Sequence, residues 1–300
     1  MSIPATNSII VTGASGQVGG ALARLLPEAQ APGRAQLDLT SEGSIRRFIR
    51  ETKPRWIINP AAYTAVDKAE SESELAYAIN ADAPRILGEE AARLGAAVLH
   101  FSTDYVFDGE KETPYEESDP TGPLGVYGAS KLAGERGLAA TGAAHLILRT
   151  SWVYGASGKN FLLTILKLAK QRAELRIVAD QHGAPTWSYD LAVLAAQIIS
   201  RYGAEEMAPL SGVYHATGQG ETTWHGFASE AVRQAGHLEP GTEFARLIPI
   251  PSEEYPTPAR RPRNSRLNCD KLQRTIGIGL PMWQASLTRV LALLGSDKHE

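Results

Sequence analysis

Ser8-Ile9-Ile10-Val11-Thr12-Gly13-Ala14-Ser15-Gly16-Gln17-Val18-Gly19 decides the reading of the fold. Ser8 to Thr12 is a short β-branched run and reads as a buried strand. Gly16 to Leu26 carries a helical pattern that opens directly after the glycines. In that setting the turn lets the backbone approach a pyrophosphate closely. The helix N-terminus adds free N–H groups and a positive dipole end. The spacing is GxxGxxG, on Gly13, Gly16 and Gly19, rather than GxGxxG. No Lys-Ser or Lys-Thr closes the turn, which excludes a P-loop. Taken alone, the same glycines would also serve plain strand-to-helix packing.

The rhythm continues outward from this turn. Ser41 to Glu51 reads as a helix with Ile45, Phe48 and Ile49 on one face, and Trp56 to Asn59 as a strand. Glu72 to Arg93 is a long helical pattern that Pro84 should kink or break. Ala97 to Phe101 is a strand, Ser130 to Ala140 a helix, and His145 to Arg149 another strand. Strands alternating with helices imply right-handed βαβ units and a parallel sheet covered on both faces. The expected fold is α/β, a Rossmann-like doubly wound parallel sheet with a smaller C-terminal substrate domain. The division falls near 1–150 for dinucleotide binding and 151–300 for substrate, with some later elements returning to the sheet. In the second half Phe161 to Lys170, Leu191 to Arg201, Trp224 to Ala235 and Trp283 to Leu294 read as helices. Arg176 to Val178 and Gly212 to His215 read as strands. Ile250 to Pro262, rich in proline and arginine, reads as a loop.

Bulk composition agrees with an ordinary globular protein. The 300 residues are 43% hydrophobic and 21% charged, with a net charge of −3, enough chain for one large or two modest domains. No basic stripe supports nucleic-acid binding. A single cysteine, Cys269, excludes an internal disulfide framework and a multi-cysteine zinc site. Met1 to Asn7 lacks the basic and apolar regions of a signal peptide, and no apolar run is long enough to span a bilayer. A cytoplasmic protein without a membrane partner is the expectation.

Tyr127-Gly128-Ala129-Ser130-Lys131 carries the chemistry. The i, i+4 spacing puts Tyr127 and Lys131 on one helix face. Reducing a ketone needs a hydride on carbon and a proton on oxygen. A phenol is a poor acid–base group near neutrality unless its anion is stabilised, which a neighbouring ammonium does. YxxxK is common by chance, and an exposed tyrosine beside a solvated lysine is the bland alternative. Phe101-Ser102-Thr103-Asp104 leaves a buried strand upstream, and strand C-terminal ends are where ligands sit in such sheets. Thr103 would offer its hydroxyl to the carbonyl oxygen that Tyr127 protonates. The ordered set of glycine turn, strand-end Thr and YxxxK resembles the extended short-chain dehydrogenase/reductase superfamily.

Cofactor choice turns on the segment after the first helix. An acid closing the second strand would bind the ribose 2′-OH and favour NAD. Pro27 to Gly33 offers only Glu28, whereas Arg34 is placed to meet a 2′-phosphate, which inclines the reading to NADPH with NADH left open. Asp38 and Leu39 follow as adenine-side contacts, although Asp38 before Thr40-Ser41 also reads as a helix N-terminal acid.

Longer stretches carry a closer resemblance. Asn59-Pro60-Ala61-Ala62-Tyr63-Thr64 through Glu70 is similar to a signature of the dTDP-4-dehydrorhamnose reductase family. So are Ser102 to Gly109, Val126-Tyr127-Gly128 with Lys131 to Glu135, and Arg149 to Tyr154. Asp180 to Thr186 and Tyr255 to Pro262 with Asn264-Ser265 complete the set. The resemblance implies that Gly16, Gln17 and Val18 contact the pyrophosphate. Ala62, Tyr63 and Thr64 would line the nicotinamide side, and Lys131 would bind the ribose. Thr103 and Asp104 would hold the sugar, and Trp152 would pack on it, where residues alone would allow a core tryptophan. Arg260, Arg261 and Arg263 would pair with a diphosphate or form a solvated loop. The implied partner is a dTDP-linked 4-keto-deoxysugar.

One departure concerns metal. Some members of the family dimerise around a magnesium held by glutamates on two helices. Here the first of those helices begins Trp187-Ser188-Tyr189-Asp190, and Lys271 to Ser296 contains no Asp or Glu. The expectation is no metal, and a monomer or a dimer not bridged by one. Two other activities fit the same fold. A regulatory subunit of the methionine adenosyltransferase-partner type could lose the Tyr/Lys pair, which is intact here. A sugar-nucleotide epimerase or dehydratase would consume no net cofactor. A dehydratase would also want an Asp-Glu pair where Thr103-Asp104-Tyr105 stands.

Overall fold

The computed structural model describes residues 9–296. Met1 to Ser8, with the predicted strand's first residue, lie outside the described residues. Four parallel strands, β1 (Ile9–Val11), β2 (Trp56–Asn59), β3 (Ala97–Thr103) and β4 (Ala144–Thr150), lie in that order. The strand Gly212–His215 joins the outer edge of β4, also in parallel. Between the first two helices the segment that would carry a second strand makes only one bridge, Gln30 beside Ile10. That bridge lies on the opposite edge of β1 from β2, so the chain changes direction across the sheet there. Such a switch point opens a crevice beyond the strand ends.

Alternation along the strands builds two cores. Ile9, Val11, Trp56, Ile58, Leu99 and Leu148 face one side, with Leu22 of helix Gln17–Leu25 and Leu191 of helix Ser188–Arg201. Ile10, Ile57, Val98 and Ile147 face the other, with Ile45 of helix Glu42–Thr52 and Leu87 of helix Ala83–Leu94. A sheet buried on both faces explains why these strands read as continuous apolar runs. Smaller cores form in the C-terminal half around Leu162, Phe227 and Leu287, and around Ile177 and Ala245.

The long helix before β3 is broken at Pro84, as expected: Ser73–Tyr77, a π-helical turn Ala78–Asp82, then Ala83–Leu94 with Pro84 in its first turn. Proline lacks the N–H that a continuous ladder needs there, and the π turn absorbs the mismatch. Three other expectations are corrected. The helix bearing Tyr127 runs Val126–Ala139, starting four residues before the predicted Ser130. Ile250 is the end of a strand, Arg246–Ile250, rather than the start of a loop. It pairs in parallel with Glu174–Val178, which is longer than predicted. The helix Ser188–Arg201 also starts earlier than the predicted Leu191.

Candidate active site

A cleft of about 950 Å³ runs along the C-terminal ends of β1 to β4. At one end lies the glycine turn. Gly16 is the N-cap of helix Gln17–Leu25, and no side chain caps it. The first-turn amides are therefore free for a ligand. A Cβ on Gly19 would stand 2.1 Å from the Gly13 carbonyl oxygen, so the tight turn requires glycine there. Gly13, Gly16, Gln17, Val18 and Gly19 all line the cleft.

Beyond the turn the cleft passes Arg34, Asp38 and Leu39. Asp38 Oδ1 accepts hydrogen bonds from the Thr40 amide at 3.0 Å and the Thr40 hydroxyl at 2.7 Å. Those bonds, led by the amide, hold its carboxyl below the usual range. Asp38 thus orders the turn before helix Glu42–Thr52 while facing the cleft. The Arg34 side chain is 79% exposed and stands 3.8 Å from Asp38.

The opposite end holds the reductase-like groups. Thr103 is the last residue of β3, and Asp104 opens the short turn Asp104–Val106. Tyr127 and Lys131 come from helix Val126–Ala139, which approaches that turn closely. A Cβ on Gly128 would meet the Tyr105 carbonyl oxygen at 2.1 Å. Thr103, Asp104, Tyr127 and Lys131 line one wall together. Tyr127 packs edge-on against Tyr105 at 5.4 Å, with Thr103 on the same wall. Burial pushes the Tyr127 phenol up to about 12, with Thr103 opposing and the Asp104 charge adding to the rise. Lys131 is 1% exposed, and burial brings its ammonium down to about 8, against the pull of Glu135. Burial also raises the Asp104 carboxyl to about 6, opposed by the Thr103 hydroxyl that donates to Oδ1 at 3.0 Å.

Behind this wall Arg149 makes a bidentate pair with Glu135, one turn along the helix from Lys131. Ser102 donates to the same carboxylate at 2.5 Å. Trp152 lines the far side of the cleft. Its backbone is left-handed, φ 48°, an uncommon strained state for a bulky residue. Its indole stacks on Trp224 at 3.7 Å.

Ala62 and Thr64 line the cleft, but Tyr63 does not. Its hydroxyl donates to Glu72 at 2.5 Å, which directs the side chain elsewhere. Its backbone is gripped on both sides by Asn80: the amide donates to Oδ1 at 2.8 Å and the carbonyl accepts from Nδ2 at 3.1 Å. Asn80 sits in the π turn and also donates to Ser130 Oγ at 3.0 Å. Residue spacing gives no hint of Asn80. Nor does it point to Ser157 and Lys159, which line the cleft near the glycine turn. The three arginines of the proline-rich segment are paired: Arg260 with Glu110, Arg261 with Asp67, Arg263 with Glu253. Asp190 accepts from Ser286 and pairs with Arg289 at 3.2 Å, both from helix Trp283–Ser296. Among the described residues no group of three His, Cys, Asp or Glu is arranged to hold a metal.

A dinucleotide turn continuous with a Thr, Tyr and Lys wall defines an NAD(P)-dependent oxidoreductase of the extended short-chain dehydrogenase/reductase class. The sequence matches the family model described as the RmlD substrate binding domain over residues 7–295. It is 46% identical over 284 residues to the dTDP-4-dehydrorhamnose reductase of Burkholderia thailandensis, covering 92% of this chain and 95% of that protein. The chain belongs to the dTDP-4-dehydrorhamnose reductase family. Two crystal structures of that name superpose well. The Clostridium acetobutylicum protein has a TM-score of 0.88 at 37% identity, covering 96% of this chain and 99% of that one. The Bacillus anthracis protein, in complex with NADP, has a TM-score of 0.87 at 35% identity, covering 95% and 99%.

Proposed function

We propose that the protein reduces the C4 keto group of dTDP-4-dehydro-L-rhamnose with NADPH or NADH, giving dTDP-L-rhamnose, with Tyr127 as proton donor. The observation that carries this is the shared wall of Thr103, Tyr127 and Lys131 in a cleft continuous with the glycine turn. Residues 1–150 form the cofactor-binding part, joined by Ser188–Arg201 and Gly212–His215, and the rest of 151–300 mainly binds the sugar.

The cleft suits a dinucleotide. The uncapped amides after Gly16 suit a pyrophosphate, and Arg34 with Asp38 and Leu39 suits the adenosine end. When bound, the reduced nicotinamide supplies a hydride to C4. Thr103 and Tyr127 hold O4 between two hydroxyls, and Tyr127 passes its proton to that oxygen. The phenolate left behind is costly in this buried wall, and the Lys131 ammonium offsets the cost. Asp104 and Trp152 hold the sugar. Tyr63 supports the strand end through its Asn80-gripped backbone.

Asp190 is already engaged by Ser286 and Arg289, so no metal enters this reading. Activity in excess chelator should equal that of untreated enzyme; a loss restored by magnesium would refute the point. No described helix is long and apolar enough to cross a membrane, and we place the protein in the cytoplasm. The deciding assay mixes protein, NADPH and the keto-sugar and follows reduced-nicotinamide absorbance. Tyr127→Phe should lower kcat by about 10²–10⁴-fold while leaving cofactor binding intact. Unchanged turnover would remove Tyr127 from the role. Product formation with no net cofactor loss would point to an epimerase.

A further inference from the structure

Thr12, just past β1, and Asn59 and His100 on β2 and β3 stand side by side, and all three are buried. Asn59 and His100 are direct register partners. The Thr12 hydroxyl lies 2.6 Å from Asn59 Oδ1, the Asn59 amide 3.0 Å from His100 Nδ1, and His100 Nε2 3.2 Å from Lys131 Nζ. The Ala61 amide closes the row by donating to Thr12 Oγ1 at 3.3 Å. A polar row this deep carries a cost unless every member is paired.

We propose that His100 is a positioning residue for Lys131: its neutral imidazole accepts one N–H of the ammonium at Nε2, and Asn59 with Thr12 holds the tautomer that allows it. This rests on the reductase reading above. An ammonium has three donors. One goes to the Phe101 carbonyl oxygen at 2.6 Å. A second meets His100, which leaves the third for the cleft, where Tyr127 lies. Burial and the Lys131 charge keep His100 neutral. For Nε2 to accept, Nδ1 must carry the hydrogen and donate to the Asn59 carbonyl oxygen, while the Asn59 N–H turns to Thr12. The structure places the Asn59 amide in the opposite sense, Oδ1 toward Thr12 and Nδ2 toward His100 Nδ1, which would leave Nε2–H facing a neutral amine. The two Asn59 amide orientations fill the same volume. Bonds from a charged donor are the stronger, which favours the ammonium register.

Other charged and titratable groups surround Lys131. Tyr127 and Glu135 lie on its own helix, Asp104 and Tyr105 on the turn after β3, and Arg149 on β4. Among the described residues His100 is the one whose side chain stands within hydrogen-bond distance of Nζ.

The test follows Lys131 itself by NMR in protein carrying isotope-labelled lysine, the signal assigned with Lys131→Met. In the wild type the amine should titrate near 8. His100→Leu fills the volume without an acceptor and should lower that value by about one unit, a tenfold change in the ionisation constant. His100→Gln, whose amide oxygen reaches the Nε2 position, should restore most of the shift. The high-pH limb of kcat/KM should move in step, to lower pH in His100→Leu. Thermal melts monitor folding. A role in packing alone would lower activity in both variants without moving the titration. A Lys131 value unchanged or raised in His100→Leu, or a Gln variant no better than Leu, overturns the proposal. The titration needs no turnover, so an inactive wild type would count against the proposed reaction while this readout still decides the role of His100.

Discussion

Glu70 Oε1 accepts a hydrogen bond from the Val126 amide at 2.9 Å, across 56 residues of chain. Gly125, the N-cap of that helix, has no side chain to do this. The carboxylate satisfies an orphan amide and meets the positive end of the helix dipole. Tyr127 is the next residue, so the bond sets where the phenol enters the cleft. Glu70→Ala is expected to cost about 1 kcal/mol of stability and to lower kcat several-fold, with Glu70→Gln intermediate. Thermal melts and steady-state kinetics check this, and a variant matching wild type in both would show that the contact does not position Tyr127.

Asp104 should trade stability for binding. Burial raises its carboxyl from 3.8 to about 6. A group raised on folding contributes fully below its ordinary value, and that contribution is lost as pH rises through about 6. Above that pH the buried carboxylate burdens the fold by about 2–3 kcal/mol, from a shift of roughly two units. Asp104→Asn should therefore be the more stable protein at about pH 8, with the difference closing by about pH 4. Its KM for the keto-sugar should rise. Denaturant melts at the two pH values decide it: equal stability at high pH would mean that the carboxylate is not strained by burial.

The Glu135–Arg149 pair is enclosed, and neither partner has water to fall back on. Removing one leaves the other as an uncompensated buried charge, at a cost of about 3–5 kcal/mol. Arg149→Leu alone should be severely destabilised, and Glu135→Leu likewise. The double variant should recover much of the loss, since paired removal leaves no lone charge. Ser102 loses its acceptor in both Glu135 variants, which keeps recovery short of complete. A double variant no more stable than the worse single one would show that the pair acts through packing rather than charge.

What could be read before the structure follows from how local each signal is. The β-branched runs of β1 to β4 and the glycine turn are written in consecutive residues, and so is YxxxK. The start of helix Val126–Ala139 is not, because its cap comes from Glu70, far away in sequence. The strand Arg246–Ile250 hides behind Pro249, which sequence rules count against a strand. In a two-stranded sheet each strand is an edge, where a missing N–H is tolerated. The row from Thr12 to His100 exists only through strand register. Asn80 reaches Tyr63 only because the chain unwinds into a π turn before Pro84. The signature places Tyr63 at the cleft, yet its side chain meets Glu72 instead.

Arg34 tests how the adenosine end chooses its cofactor. It is the cation of the cleft nearest Asp38, exposed and bound to it only loosely at 3.8 Å. The β1-flanking segment supplies a single bridge at Gln30 instead of a strand ending in an acid. Asp38 lines the same stretch of cleft, but its Oδ1 already accepts from Thr40. Arg34→Ala should raise the KM for NADPH by about tenfold, the lower range for a charge-assisted bond at an exposed site, and leave NADH nearly unchanged. Paired kinetics with the two cofactors separate the cases. Equal losses with both would move Arg34 from phosphate recognition to a general role in shaping the turn, and no loss with either would leave it a solvated arginine.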